Sequence, residues 1–163
     1  MTAAVNPGSQ RNLSQRILGV DPGEKRIGIA ISDPTGTIAS PLTVVKHVAR
    51  AIDAAMIAQI AQENEAVRIV VGQALDVEGK PTPEGRRAAR LAEAIRVQTS
   101  MPVLLWDESG STQIARQARL EMGVPRRKRR GHMDDLAAAV ILQSYLEANS
   151  PSAAASAAAL PHP

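Results

Sequence analysis

Short apolar runs separated by turn residues open the patterned part of the chain. Residues 17–20 (ILGV) form an apolar run that is followed by Pro22 and Gly23, and β-branched residues resume over 27–32. This spacing predicts an antiparallel hairpin. A third strand is predicted at about 38–45, after a turn rich in Asp, Pro and Gly. The first third of the chain therefore predicts three sequential strands.

The later pattern alternates buried strands with amphipathic helices. Apolar residues recur at intervals of three and four in segments that predict helices at about 51–62, 83–97, 111–122 and 133–147. Short apolar runs predict buried strands at 68–71 and 103–106. The order predicts an α/β domain over residues 16–148, with a mixed sheet led by the antiparallel hairpin and helices packed on its faces. The polar segment 1–15 and the Ala-, Ser- and Pro-rich segment 149–163 are predicted to be a disordered leader and tail.

Composition narrows the chemistry that this domain can perform. The 163 residues include no cysteine and no phenylalanine, with one tryptophan and one tyrosine. Disulfides, zinc thiolate sites and a thiol nucleophile are excluded, and we expect any metal to be bound by oxygen. An aromatic platform for stacking single-stranded bases is not expected. The chain has no apolar run long enough to span a membrane and no secretory signal pattern, so we expect a cytoplasmic protein without a membrane partner.

Basic residues are concentrated near the end of the domain. Residues 111–131 contain seven basic side chains and one acidic side chain, which predicts contact with nucleic acid. The simpler alternative is that these basic residues are solvated in a loop and have no partner. We predict that residues 126–130 form a loop between two helices. Lys25 and Arg26 lie beside the predicted hairpin turn, where cations are equally typical of a phosphate contact and of a solvated surface. The predicted nucleic-acid-binding residues are Lys25, Arg26, Arg116, Arg119, Arg126, Arg127, Lys128, Arg129 and Arg130.

Three separated acids stand where a metal-dependent nuclease requires them. Asp21 ends the first apolar run, Glu108 follows the strand at 103–106, and Asp134 opens the last predicted helix. Mg²⁺ and Mn²⁺ prefer hard oxygen ligands, so we predict that these three carboxylates are both the metal ligands and the catalytic residues. The neighbouring acids Asp107 and Asp135 point elsewhere by strand and helix geometry. Each acid also has a simpler interpretation, as a turn cap or a helix starter.

Four motifs in order carry a family resemblance. They are GVDPGEKRIGIAISD, VVGQALDVEGKPTPEG, WDESGST and HMDDLAAAVILQSYLE. Over about residues 17–147 the chain resembles the YqgF family, also called RuvX. The resemblance implies an RNase H-like fold and a nuclease that processes the 5′ end of pre-16S rRNA, in a family earlier described as Holliday junction resolvases. It also implies that Asp21, Glu108 and Asp134 are the family's site carboxylates.

The chain departs from this family at a few positions. Ser109 and Gly110 stand where members commonly have Arg-Leu, and Gly131 stands where related resolvases carry a fourth carboxylate. The leading hypothesis is a nuclease that uses Mg²⁺ or Mn²⁺ on precursor rRNA, bound to the small-subunit precursor as a monomer or weak homodimer. The alternatives are a junction-resolving DNase with the same site and a nucleic-acid-binding ribosome assembly factor with weak catalysis. A nucleotide-binding fragment of the actin and hexokinase type is weaker, because the chain lacks room for a second lobe.

Overall fold

A computed structural model describes residues 14–108 and 126–151, and side chains within 126–135 lie outside that description. In chain order the elements are β1 (Ile17–Pro22), β2 (Arg26–Ser32), β3 (Ala39–Lys46), α1 (Arg50–Glu63), β4 (Arg68–Gln73), α2 (Pro83–Gln98), β5 (Val103–Asp107) and α3 (Arg126–Ala148). The predicted helix at 111–122 lies outside the described residues, as do most of the predicted leader and tail. Within the described part, no helix combines the length and apolar character of a membrane span.

The strands form one mixed sheet in the order β3-β2-β1-β4-β5. β1, β2 and β3 are sequential and antiparallel, because the turn after β1 and the loop after β2 are short. β4 and β5 each follow a helix and return parallel to the strand before them in the sheet. This arrangement confirms the predicted α/β fold with a sheet led by an antiparallel hairpin.

Alternation along each strand divides the side chains between two faces. Leu18 and Val20 of β1 belong to a core formed with α1 and α2. Gly19, between them, faces α3: a Cβ built on it would lie 2.7 Å from Leu142 Cβ. Val70 and Trp106 belong to the core formed with α3. Two helices therefore cover one face of the sheet and α3 covers the other.

The last helix begins earlier in the chain than predicted. Helical backbone is already present at Arg126, whereas the predicted helix begins at Met133. The basic segment 126–130 is consequently helical and not a loop, and Asp134 lies in the third turn and is not a helix starter. Apolar periodicity does not detect a helical turn that is entirely polar, and Arg and Lys are good helix formers. Gly131 costs only about 1 kcal/mol relative to alanine, which is too little to end a long helix.

Candidate active site

Two of the three predicted carboxylates lie at the same edge of the sheet. Val20 of β1 pairs with Val71 of β4, and Gly72 of β4 pairs with Trp106 of β5. Asp21 and Glu108 follow these pairs at the carboxyl ends of β1 and β5. Strand alternation directs both acids to the face that α3 covers. The fold thus brings to one edge of the sheet two residues that are 87 positions apart in the chain.

Gly72 provides the space that the Glu108 carboxylate occupies. A Cβ built on Gly72 would lie 3.3 Å from Glu108 Oε2 and 2.6 Å from Ile141 Cδ1. The Oε2 atom is buried, and the Glu108 backbone N–H donates to the carbonyl of Gln73 at 3.2 Å. The absence of a side chain at Gly72 therefore lets the carboxylate lie over β4 beneath α3.

A tight turn positions Asp21. Asp21 pairs with Gly28 across the hairpin, and the chain reverses over Gly23 to Lys25. A Cβ on Gly23 would lie 2.2 Å from the carbonyl oxygen of Arg26, so this turn requires glycine. Lys25 and Arg26 are exposed beside the turn, as their predicted contact with nucleic acid requires.

The path of α3 places the backbone of Asp134 over the same edge. α3 runs antiparallel to β1: Tyr145 accepts a 2.7 Å hydrogen bond from Arg68 Nη1 at the start of β4, whereas Ile141 covers Gly72 near the end of β4. The carbonyl oxygen of Ala138 lies 3.2 Å from a Cβ built on Gly19. From this contact, Asp134 is four residues along the helix, or about 6 Å. Asp21 is two residues along β1 from the same contact, or about 7 Å.

The side chain of Asp134 lies outside the described part, so the third ligand stays a prediction. The described side chains contain no group of three His, Cys, Asp or Glu residues that could hold a metal ion, and they include only two of the three predicted ligands. Asp107 is exposed, on the face opposite Glu108, as strand alternation predicted. Arg116 and Arg119 lie outside the described residues. Arg126, Arg127, Lys128, Arg129 and Arg130 have described backbone only, all of it helical.

A second group of arginines, which was not predicted from the sequence, lies beside the same hairpin turn. Arg50 of α1 and Arg87 of α2 line one cavity with the turn residues Gly23 and Glu24. These cations are far apart in sequence and do not form a charge run. The only signal was the RRAAR segment that contains Arg87, which we took solely as part of an amphipathic helix.

The mixed sheet defines the class of the protein. Its backbone is similar to that of T. thermophilus RuvC in complex with a Holliday junction substrate, with a TM-score of 0.53 and 18% identity over 82% of this chain and 94% of that one. The Fowlpox virus Holliday junction resolvase gives a TM-score of 0.52 and 15% identity over 82% of this chain and 99% of that chain. The fold is RNase H-like, which confirms the prediction.

Sequence comparison identifies the family. The model of the RuvX family, described as Holliday junction resolvase, matches residues 15–148. The chain belongs to the RuvX family, and it is an enzyme of the nuclease class, as predicted.

Named relatives match over most of their length. A "Putative pre-16S rRNA nuclease" from Syntrophus aciditrophicus is 41% identical over 133 residues, covering 82% of this chain and 89% of the relative. The protein of that name from Thermoanaerobacter pseudethanolicus is also 41% identical over 133 residues, covering 81% and 96%. A third, from Myxococcus xanthus, is 36% identical over 136 residues, covering 83% and 90%.

Proposed function

We propose that this protein is a divalent-metal-dependent nuclease that hydrolyses phosphodiester bonds at the 5′ end of pre-16S rRNA. The substrate follows from the names of relatives that match nearly the whole domain. On this proposal the protein acts in the cytoplasm on the precursor of the small ribosomal subunit.

The convergence of Asp21 and Glu108 at one edge of the sheet is the observation that carries the proposal. Both acids are on the face covered by α3, and the α3 backbone brings Asp134 to that edge. The proposal adds the Asp134 side chain to this pair, which gives three carboxylates from three separate elements. Without such convergence, each acid would have only a local role as a turn cap or a helix residue.

The chemistry of this donor set suits Mg²⁺ or Mn²⁺. All three groups are hard oxygen donors, and the chain has no thiol that would favour a softer metal. A bound cation supplies Lewis-acid activation of water and stabilises charge on the leaving oxygen. Asp21, Glu108 and Asp134 would hold it. Lys25, Arg26 and the basic segments at 116–119 and 126–130 would position the phosphate backbone by charge.

The test compares wild-type protein with Asp21→Asn on two substrates, a pre-16S rRNA fragment and a four-way DNA junction, with Mn²⁺ or with a chelator. We expect metal-dependent cutting of the RNA that is lost in the variant. RNA binding should be retained both in the variant and in chelator, because the contacts of basic residues with phosphates do not require the metal. Cutting of the RNA by Asp21→Asn at the wild-type rate would refute the assignment of Asp21.

Adjacent acids offer matched controls for the other two ligands. Asp107 neighbours Glu108 but faces the opposite side of the sheet, so Glu108→Gln should abolish cutting and Asp107→Asn should not. Asp135 neighbours Asp134 but is rotated by about 100° around the helix, so the same contrast is expected between Asp134→Asn and Asp135→Asn. Equal effects within either pair would contradict the ligand assignment.

A junction-resolving DNase is the second candidate, favoured by the description of the family model that matches this chain. Paired cutting of a junction needs two coordinated active sites, so it requires at least a weak homodimer. Metal-dependent cutting of the junction but not of the RNA would select this candidate. Binding of either substrate without cutting would select the assembly-factor alternative.

A further inference from the structure

A cavity of about 260 Å³ lies at the hairpin turn, on the face of the sheet that α1 and α2 cover. We call it the hairpin cavity. It is lined by Pro22, Gly23, Glu24, Ile27, His47, Ala49, Arg50, Asp53, Arg87 and Leu91. Asp21, which precedes Pro22, faces α3 on the other side of the sheet. The hairpin cavity and the candidate active site therefore share one edge of the sheet and involve consecutive residues of β1.

The wall of this cavity is held in place by a buried carboxylate. Asp53 is 2% exposed, and its Oδ2 lies 2.5 Å from His47 Nδ1. Its Oδ1 accepts a 3.0 Å hydrogen bond from the Val48 backbone N–H. A carboxylate can only accept, so Nδ1 carries the hydrogen and Nε2 is the remaining polar atom of the ring. The negative charge of Asp53 is thus engaged within the wall.

Two guanidinium groups supply the positive charge of the lining. Among the side chains that the structure describes, neither Arg50 nor Arg87 forms an ion pair. Arg87 also borders a second depression, whose lining adds Arg86, Arg90 and Glu84 and shares Glu24 with the hairpin cavity. α1 begins at Arg50 without a side-chain cap, so its positive dipole end adds to the same potential. A planar guanidinium binds phosphate oxygens in a bidentate manner.

We propose that the hairpin cavity binds a phosphate group of the nucleic-acid substrate through Arg50 and Arg87. The identity of the ligand rests on the proposed function, because a strand cut beside Asp21 must continue past this edge of the sheet. The cavity then holds the strand on the face opposite the carboxylates, and the hairpin turn separates binding from cleavage. His47, fixed by Asp53, lines the same cavity.

The experiment measures binding of a labelled pre-16S rRNA fragment by fluorescence anisotropy in chelator, so that no cleavage is needed. Arg50→Gln and Arg87→Gln are each expected to weaken binding about tenfold. Each should also reduce the slope of log affinity against log salt by about 0.7, as for one lost contact to a single strand. Arg16→Gln removes the same charge at the opposite end of β1 and should leave both quantities unchanged. Thermal unfolding checks that all three variants are folded.

Two substrate forms and inorganic phosphate distinguish the sources of the phosphate. An equal loss on 5′-phosphorylated and 5′-hydroxyl RNA assigns the cavity to an internal phosphodiester, and a loss confined to the phosphorylated RNA assigns it to the terminal group. If the arginine variants bind both RNAs as Arg16→Gln does, the proposal is overturned. It is also overturned if inorganic phosphate stabilises the protein through Arg87 while RNA affinity is unaffected.

Binding and cleavage fail separately in this design. If wild-type protein cuts neither substrate but the arginine variants still lose RNA affinity, the cavity is supported and the nuclease proposal fails. If the wild-type protein cuts RNA but both arginine variants bind RNA normally, the nuclease proposal is supported and the cavity proposal fails.

Discussion

The contact between β1 and α3 at Gly19 allows a quantitative prediction. A Cβ in Gly19→Ala would lie 2.7 Å from Leu142 Cβ and 3.2 Å from the carbonyl oxygen of Ala138. Carbon atoms in ordinary contact are about 3.5–4.0 Å apart, so strand and helix must separate by about 1 Å. Neither atom belongs to the flexible end of a side chain, so rotation of Leu142 cannot relieve the contact.

The expected cost has a structural and a catalytic part. Overpacking of this kind costs about 1–3 kcal/mol, which for a domain of this size lowers Tm by about 2–12 °C. Moving α3 also moves Asp134 relative to Asp21, and a displacement of about 1 Å reduces catalysis by about 100-fold. We therefore expect a variant that is folded at 25 °C and binds RNA but cuts it about 100-fold more slowly than the wild type.

The assay is metal-dependent cutting of the RNA precursor, normalised to the folded fraction from thermal unfolding. Ile57→Val is the matched control, because Ile57 is fully buried in the core on the other face of the sheet. It should cost about 0.5–1.5 kcal/mol without moving α3. Gly19→Ala protein that is destabilised as expected but cuts at the wild-type rate would refute the dependence of the site on α3.

Three further predictions concern single side chains. We expect Gly72→Ala to cut RNA more slowly than the wild type and to lose about 1 kcal/mol of stability, because the new Cβ meets the flexible end of Ile141 and the Glu108 carboxylate. The cutting assay measures the first effect and urea unfolding measures the second. An unchanged cutting rate would contradict the proposed role of Glu108. Tyr145→Phe removes the hydrogen bond from Arg68 and should cost about 1–3 kcal/mol in urea unfolding without changing the rate per folded molecule. The backbone N–H of Ile38 and three further donors of the turn, from Thr35 and Thr37, hold the pKa of Asp33 well below its usual range. The stability that the Asp33 carboxylate contributes is therefore present near neutral pH and is lost as pH falls through the lowered pKa. The wild type should be more stable than Asp33→Asn at pH 7, and this difference in the free energy of unfolding should narrow in strong acid. A difference that does not change with pH would refute this linkage.

Local sequence determined most of the fold. Short apolar runs located the five strands and period-3.6 patterns located the first two helices, each within a few residues, because both patterns report which residues are buried. The turn at Gly23 was also predictable from the sequence, because its geometry depends only on residues that are close in the chain. The motifs around Asp21 and Glu108 indicated the family that the comparisons confirm.

Tertiary structure decided what depends on distant residues. The continuation of α3 back to Arg126 was not predicted, because a basic segment has no apolar period to reveal it. The room for Glu108 depends on Gly72, a residue of another strand, and the hairpin cavity depends on arginines from two helices. A sequence pattern records the burial of each element separately, whereas the chemistry of a site depends on which elements the sheet order makes neighbours.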